Sequence, residues 1–115
     1  WKGKNRANST QYANPWLIEA QQQKLWINPQ DAQKRGIAQG DTVRIHNARG
    51  ICEIPAEVTP RIIPGVMAMQ AGAWWQPDAQ GIDKGGCANV LSSARITALA
   101  KGNSHQTMLV EVAKA

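Results

Sequence analysis

The stretch TVRIHNARGICEIPAEV, residues 42–58, decides the fold. Residues 42–47 alternate apolar and polar side chains, ARG turns the chain, and residues 51–58 alternate again, the pattern of two strands that each bury one face. The spacing predicts a β-hairpin, with Pro55 marking an edge or a bulge because proline has no N–H for a ladder. Outward from the hairpin, residues 66–70 (VMAMQ) and 107–112 (TMLVEV) read as two further strands, and Lys24 to Ile27 as a short one.

Between the short strand and the hairpin lies a strong helix signal. Asn28 stands at the N-cap, Pro29 at the first helical position, Asp31 in the first turn, Lys34 and Arg35 in the last, and Gly36 at the stop. This predicts a helix of about two turns, with Asp31 complementing its dipole. Short strands, tight turns and one or two small helices indicate a mainly β protein built as a closed or nearly closed barrel, not a βαβ sheet.

The 115 residues suffice for one domain, which buries roughly two-thirds of the surface its unfolded chain exposes. The composition, 43% hydrophobic and 18% charged, is that of a globular protein. No apolar run approaches the ~20 residues of a membrane span, which predicts no direct membrane insertion. The chain starts at Trp1, without a charged and then apolar leader, and reads as a piece of something larger. Cys52 and Cys87 lack a CxxC or a neighbouring His pair, so buried free thiols are expected rather than a metal site.

Thirteen basic against eight acidic residues give a net charge of +5, which favours an anionic partner. Nucleic acid is a poor candidate: there is one tyrosine, no phenylalanine, and neither a recognition helix nor a basic run. A phosphate-bearing small molecule suits the charge equally well. His46 and His105 have no nucleophile or carboxylate at useful spacing, and GxSxG, Walker A and GxGxxG motifs are absent, so catalytic residues are expected to be none.

Two polar segments remain. Residues 1–14, WKGKNRANSTQYAN, are basic and aperiodic, which predicts an arm ordered by what it contacts. Residues 72–93, GAWWQPDAQGIDKGGCANVLSS, combine two adjacent tryptophans, four glycines and an asparagine. Neighbours on an extended chain point to opposite faces, so only one of Trp74 and Trp75 can enter a core. Glycines 72, 81, 85 and 86 permit close backbone approach, Asn89 offers donors and acceptors in one plane, and Ser92 and Ser93 add hydroxyls. That set suits a flat, polar-edged heterocycle; the plainer alternative is a structural loop with one tryptophan plugging the barrel end.

Taken in order, WINPQDAQKRGIAQGDTVRIHNARG, AEVTPRIIPGVMAMQAGAWWQP, GIDKGGCANVLSS and QTMLVEV resemble the C-terminal molybdopterin-dinucleotide-binding domain of the dimethyl sulfoxide reductase family of molybdenum oxidoreductases, most of all its anaerobic catalytic subunits. The resemblance covers nearly the whole chain and implies a double-psi β-barrel over residues 1–115, a C-terminal part of a larger enzyme. It implies binding of the bis(molybdopterin guanine dinucleotide) molybdenum cofactor in a respiratory enzyme that reduces dimethyl sulfoxide or related S- and N-oxides. RANST resembles the family's R-x-H-S-T loop at Arg6, Ser9 and Thr10, with Asn8 in place of histidine. The family's N-x-L-T pattern falls on Asn89, with Ser92 keeping the hydroxyl; Gln106 takes the polar position before the last strand, and Trp75 is included for its flat face.

The same resemblance implies further expectations. The parent enzyme carries an iron–sulfur cluster, the metal ligand lies in an earlier domain, and the isolated residues do not turn over. Its partners are the rest of the catalytic subunit, an iron–sulfur electron-transfer subunit and a membrane anchor subunit, on the periplasmic side of the membrane. Against this stands a free-standing double-psi barrel that binds a protein or nucleic-acid partner, which has no need for two polar loops converging on one groove. A decarboxylase or protease barrel would need a self-processed serine or an Asp-Thr/Ser-Gly loop, and neither motif is present.

Overall fold

The computed structural model describes residues 12–20, 22–102 and 108–115. Its strands are β1 (Leu25–Ile27), β2 (Thr42–His46), β3 (Ile51–Val58), β4 (Met67–Ala68) and β5 (Glu111–Lys114), and its helices α1 (Pro15–Ala20) and α2 (Pro29–Lys34), with a 3-10 turn at Ala88–Val90. They form one curled half-barrel of five strands in the order β4-β1-β3-β2-β5.

The predicted hairpin is present, with Val43 opposite Ile54 and Ile45 opposite Cys52. These four side chains are buried, and with Leu25, Ile27, Ala56, Leu91 and Val112 they fill the inside of the curl. Pro55 lies on a central strand, not an edge. On the flank of β3 away from β2, the isolated bridge to Asp83 falls at Cys52 and parallel pairing with β1 starts at Ala56, so the proline occupies the gap between two ladders where no N–H is required.

Two predicted strands are shorter or displaced. Of residues 66–70 only Met67 and Ala68 pair, because β1 offers just Ile27 and Trp26 as partners. The last strand runs over Glu111–Lys114 instead of 107–112: β2 receives it with Ile45 opposite Val112, which puts the buried Val112 inward.

Helix α2 follows the predicted signals. Asn28 Oδ1 accepts from the Gln30 N–H at 2.9 Å, and Asn28 Nδ2 donates to the Ile62 carbonyl at 2.7 Å. Asp31 does more than face the helix dipole, since its Oδ2 accepts from the Gly65 N–H at 2.6 Å. The two side chains thus bind the helix to the turn that leads into β4, and so set the entry of the strand that borders the site.

Among the described residues no helix is long and apolar enough to cross a membrane.

Candidate functional site

The open side of the half-barrel, between the β4 edge and the chain leading into β5, holds a cleft of about 370 Å³. Leu25, Ile45 and Leu91 form its floor, Met67, Met69 and Met108 its walls, and Asn89 the polar group at its edge. Thioether walls adapt to a flat apolar face, while an amide offers both a donor and an acceptor.

Asn89 is exposed and stands in the 3-10 turn, whose end is pinned to the hairpin. The Leu91 carbonyl accepts from Asn47 Nδ2 at 2.9 Å and from Arg49 Nε at 2.7 Å. Ser92 Oγ donates to the Asn89 carbonyl at 3.0 Å, so its hydroxyl closes the turn and keeps its lone pairs free to accept.

Trp74 and Trp75 are 54% and 61% exposed, and neither plugs the barrel; Ala73, immediately before them, is the buried residue. After the tryptophans the chain makes a small hairpin excursion that the sequence pattern did not reveal. The Lys84 N–H donates to the Gln76 carbonyl at 2.9 Å and Asp78 N–H to the Ile82 carbonyl at 2.9 Å, while Asp78 Oδ1 accepts from Gln80 and Ile82 across the tip. Its return limb docks on β3, where Asp83 exchanges backbone bonds with Ile51 and Glu53.

Gly85 and Gly86 serve this docking. A Cβ on Gly85 would stand 2.1 Å from the Trp74 carbonyl oxygen, and Gly86 has φ of +81° with Gln23 Cγ 2.4 Å from where its Cβ would be.

An ionic cluster clamps the excursion from outside. Glu53, buried under the loop, takes Arg44 Nη2 at 2.7 Å from directly across the ladder and also bonds to Lys84, which reaches Asp78 at 3.3 Å. Lys84 first, then Arg44, holds the Glu53 carboxyl below its ordinary value, and Glu53 raises Lys84 in turn.

A second group that the sequence reading missed lies behind the cleft. Gln23 Nε2 donates to the carbonyls of Gln70 at 2.7 Å and Gly86 at 2.9 Å, and its Oε1 accepts from the Tyr12 hydroxyl at 2.7 Å. Gln70 Nε2 is buried without a partner. Glutamines carry no periodic signal, and their burial follows only from the loop closing over them.

Both cysteines are free, Cys52 buried and Cys87 half-buried. Burial, then the neighbouring Asp83 carboxylate, pushes the Cys52 thiol up to about 12. Among the described residues no group of three His, Cys, Asp or Glu side chains could hold a metal ion.

Of the sequence-derived site residues, Asn89 and Ser92 share the turn at the cleft mouth and Trp75 stands exposed on the same segment. Arg6, Asn8, Ser9, Thr10 and Gln106 lie outside the described residues.

A cleft that is apolar within and carries an amide at its edge has the form of a binding site for a flat, polar-rimmed ligand. The comparison with known proteins gives that class its identity: residues 1–109 match the family described as "Molydopterin dinucleotide binding domain", and the chain belongs to this family. It is 55% identical over 112 residues to dimethyl sulfoxide reductase DmsA of Escherichia coli K12, which covers 96% of this chain and 14% of that protein. With DmsA of Haemophilus influenzae Rd it shares 48% over 110 residues, 95% of the chain and 14% of the relative. With trimethylamine-N-oxide reductase 1 of Escherichia coli K12 it shares 43% over 100 residues, 83% of the chain and 12% of the relative. The chain therefore spans about a seventh of the length of these relatives.

Proposed function

We propose that this chain is the C-terminal cofactor-binding domain of a larger molybdenum oxidoreductase that reduces dimethyl sulfoxide or related S- and N-oxides. The observation that carries the reading is Asn89 at the mouth of the cleft, on the GGCANVLSS segment, in a chain whose family binds a molybdopterin dinucleotide. The names of the relatives, dimethyl sulfoxide and trimethylamine-N-oxide reductases, support the substrate class.

The donor set fits such a group. Methionine and leucine walls accept a flat ring face, Trp75 offers another, and Asn89 and Ser92 bond to polar edges. Arg6, Asn8, Ser9, Thr10 and Gln106 would add polar contacts to the pterin and pyrophosphate, where a guanidinium forks onto phosphate oxygens. When bound, the cofactor supplies the oxygen-atom transfer and the relay of electrons. The residues of this chain bind it, orient it and keep water from its faces.

In the same reading the cofactor is the bis(guanine dinucleotide) form and the domain is a double-psi β-barrel. The parent enzyme also holds an iron–sulfur cluster, and it works on the periplasmic side with an electron-transfer subunit and a membrane anchor. The 115 residues alone do not turn over.

The test is Asn89→Ala in the full-length enzyme. Molybdenum and guanine nucleotide per chain should fall by about tenfold, the scale on which supporting contacts of a metal site act, and oxide reduction should fall in parallel. Unchanged molybdenum content would refute the assignment of this loop.

A further inference from the structure

We propose that Asp83 is the positioning residue of this site: its buried carboxylate sets where Trp75 and Asn89 stand. The inference rests on the reading of the cleft given above.

Asp83 is fully buried. Its Oδ1 accepts from the Gln76 N–H at 2.8 Å and the Gly85 N–H at 3.1 Å, and its Oδ2 accepts from the Cys87 N–H at 2.6 Å. The Cys52 thiol stands beside the same carboxylate, and burial, then that carboxylate, holds it protonated. No lysine or arginine pairs with Asp83 among the described residues. Its charge is therefore met by backbone dipoles and a thiol, an arrangement that fixes geometry more tightly than a flexible side-chain cation does.

The donors are placed so as to matter. Gln76 directly follows Trp75, and Cys87 caps the 3-10 turn that carries Asn89. Asp83 itself cannot drift, since its N–H donates to the Ile51 carbonyl at 3.1 Å and its carbonyl accepts from the Glu53 N–H at 2.8 Å. One side chain, locked to the central strand, thus holds the start and the end of the loop in register with the half-barrel.

The requirement is for a carboxylate in particular. Asparagine has one oxygen, so in either orientation its NH2 group would confront a backbone N–H and leave it without an acceptor in a dry site. Asp83→Asn should release one limb of the loop while leaving the β2–β3 ladder in place.

The experiment compares, in the full-length enzyme, Asp83→Asn, Asn89→Ala and Val43→Ala, the last a core truncation away from the cleft that controls for lost stability. Molybdenum per purified chain and hydrogen exchange of the peptides covering residues 74–90 and 42–58 are measured. Asp83→Asn should lower molybdenum by about tenfold and speed exchange in 74–90 alone, whereas Val43→Ala should keep its cofactor. Should Asp83→Asn fail to fold, Asp83→Ser decides the matter: its single, shorter-reaching oxygen adds no bulk and cannot serve the three N–H donors of Gln76, Gly85 and Cys87. It should likewise lose cofactor.

Wild-type molybdenum in Asp83→Asn or in Asp83→Ser, alongside loss in Asn89→Ala, would overturn the role of Asp83 and leave the site reading standing. Retention in Asn89→Ala would remove the site reading and this inference together.

Discussion

At Gly85 the side chain is a single hydrogen because the backbone of Trp74 runs past it. The obstruction is a carbonyl oxygen, 2.1 Å from the position of a Cβ, and a carbonyl held in a docked loop cannot swing aside as a long side chain could. Gly85→Ala should therefore cost about 1–3 kcal/mol, the range for forced overpacking, read as a lower denaturant midpoint with an unchanged slope. The sequence exposed this residue as a glycine of close approach but not what approaches it, since nothing in GGCANVLSS tells whether the passing atom belongs to a ligand or to the chain eleven residues earlier. Asn28 is the opposite case. An N-cap acts on amides two residues on, so its role was legible in the sequence, whereas its second bond, to the Ile62 carbonyl, spans thirty-four residues and was not.

Strand β3 carries the same lesson at the scale of an element. Its alternation correctly placed Cys52, Ile54 and Ala56 inside, yet Glu53, on the other face, is also buried because the 76–84 excursion lies over it. Periodicity records one face and is silent about a cover supplied from elsewhere. The cover has a pH signature. The folded-state value of Glu53 is below its ordinary 4.5, so the unfolded chain takes up the proton first as the pH falls. The stabilisation is fully present above that ordinary value and is lost as the pH drops through the lower, folded one. Lys84, raised above its ordinary 10.5, has the mirror-image behaviour: its contribution is complete below that value and disappears as the pH climbs through the folded one. Glu53→Gln should lower stability near neutral pH and flatten the acid limb of the stability curve, and urea midpoints measured from pH 7 to pH 3 check it. A mutant curve parallel to the wild type in that range would show that the clamp does not draw on the Glu53 charge.

Over the whole molecule, ladder pairing is densest where β3 is flanked by both β1 and β2, and β2 by both β3 and β5, while β4 contributes two residues at one edge. The cleft and its loop thus sit on the least paired margin of a sheet whose centre is continuous. Both the mainly β class and the hairpin at the centre were readable in the chain, because strand alternation and turn residues act over a few positions. The curl, the order β4-β1-β3-β2-β5 and the cleft between the edges arise from pairings between distant segments, which no local pattern encodes. This gradient makes a prediction for the opening of the native state. Amides of Val43, Ile45, Cys52 and Ile54 should exchange at the rate of global unfolding, those of Met67 and Ala68 faster by local opening, and those of Gln76, Gly85 and Cys87 at an intermediate rate set by the Asp83 carboxylate. Bound cofactor should slow all three groups, because binding to the folded cleft raises the free energy of every opening that dismantles it, global unfolding included. Equal exchange at β4 and in the β2–β3 ladder would mean that the edge is not a separate unit and that the cleft opens only when the molecule unfolds.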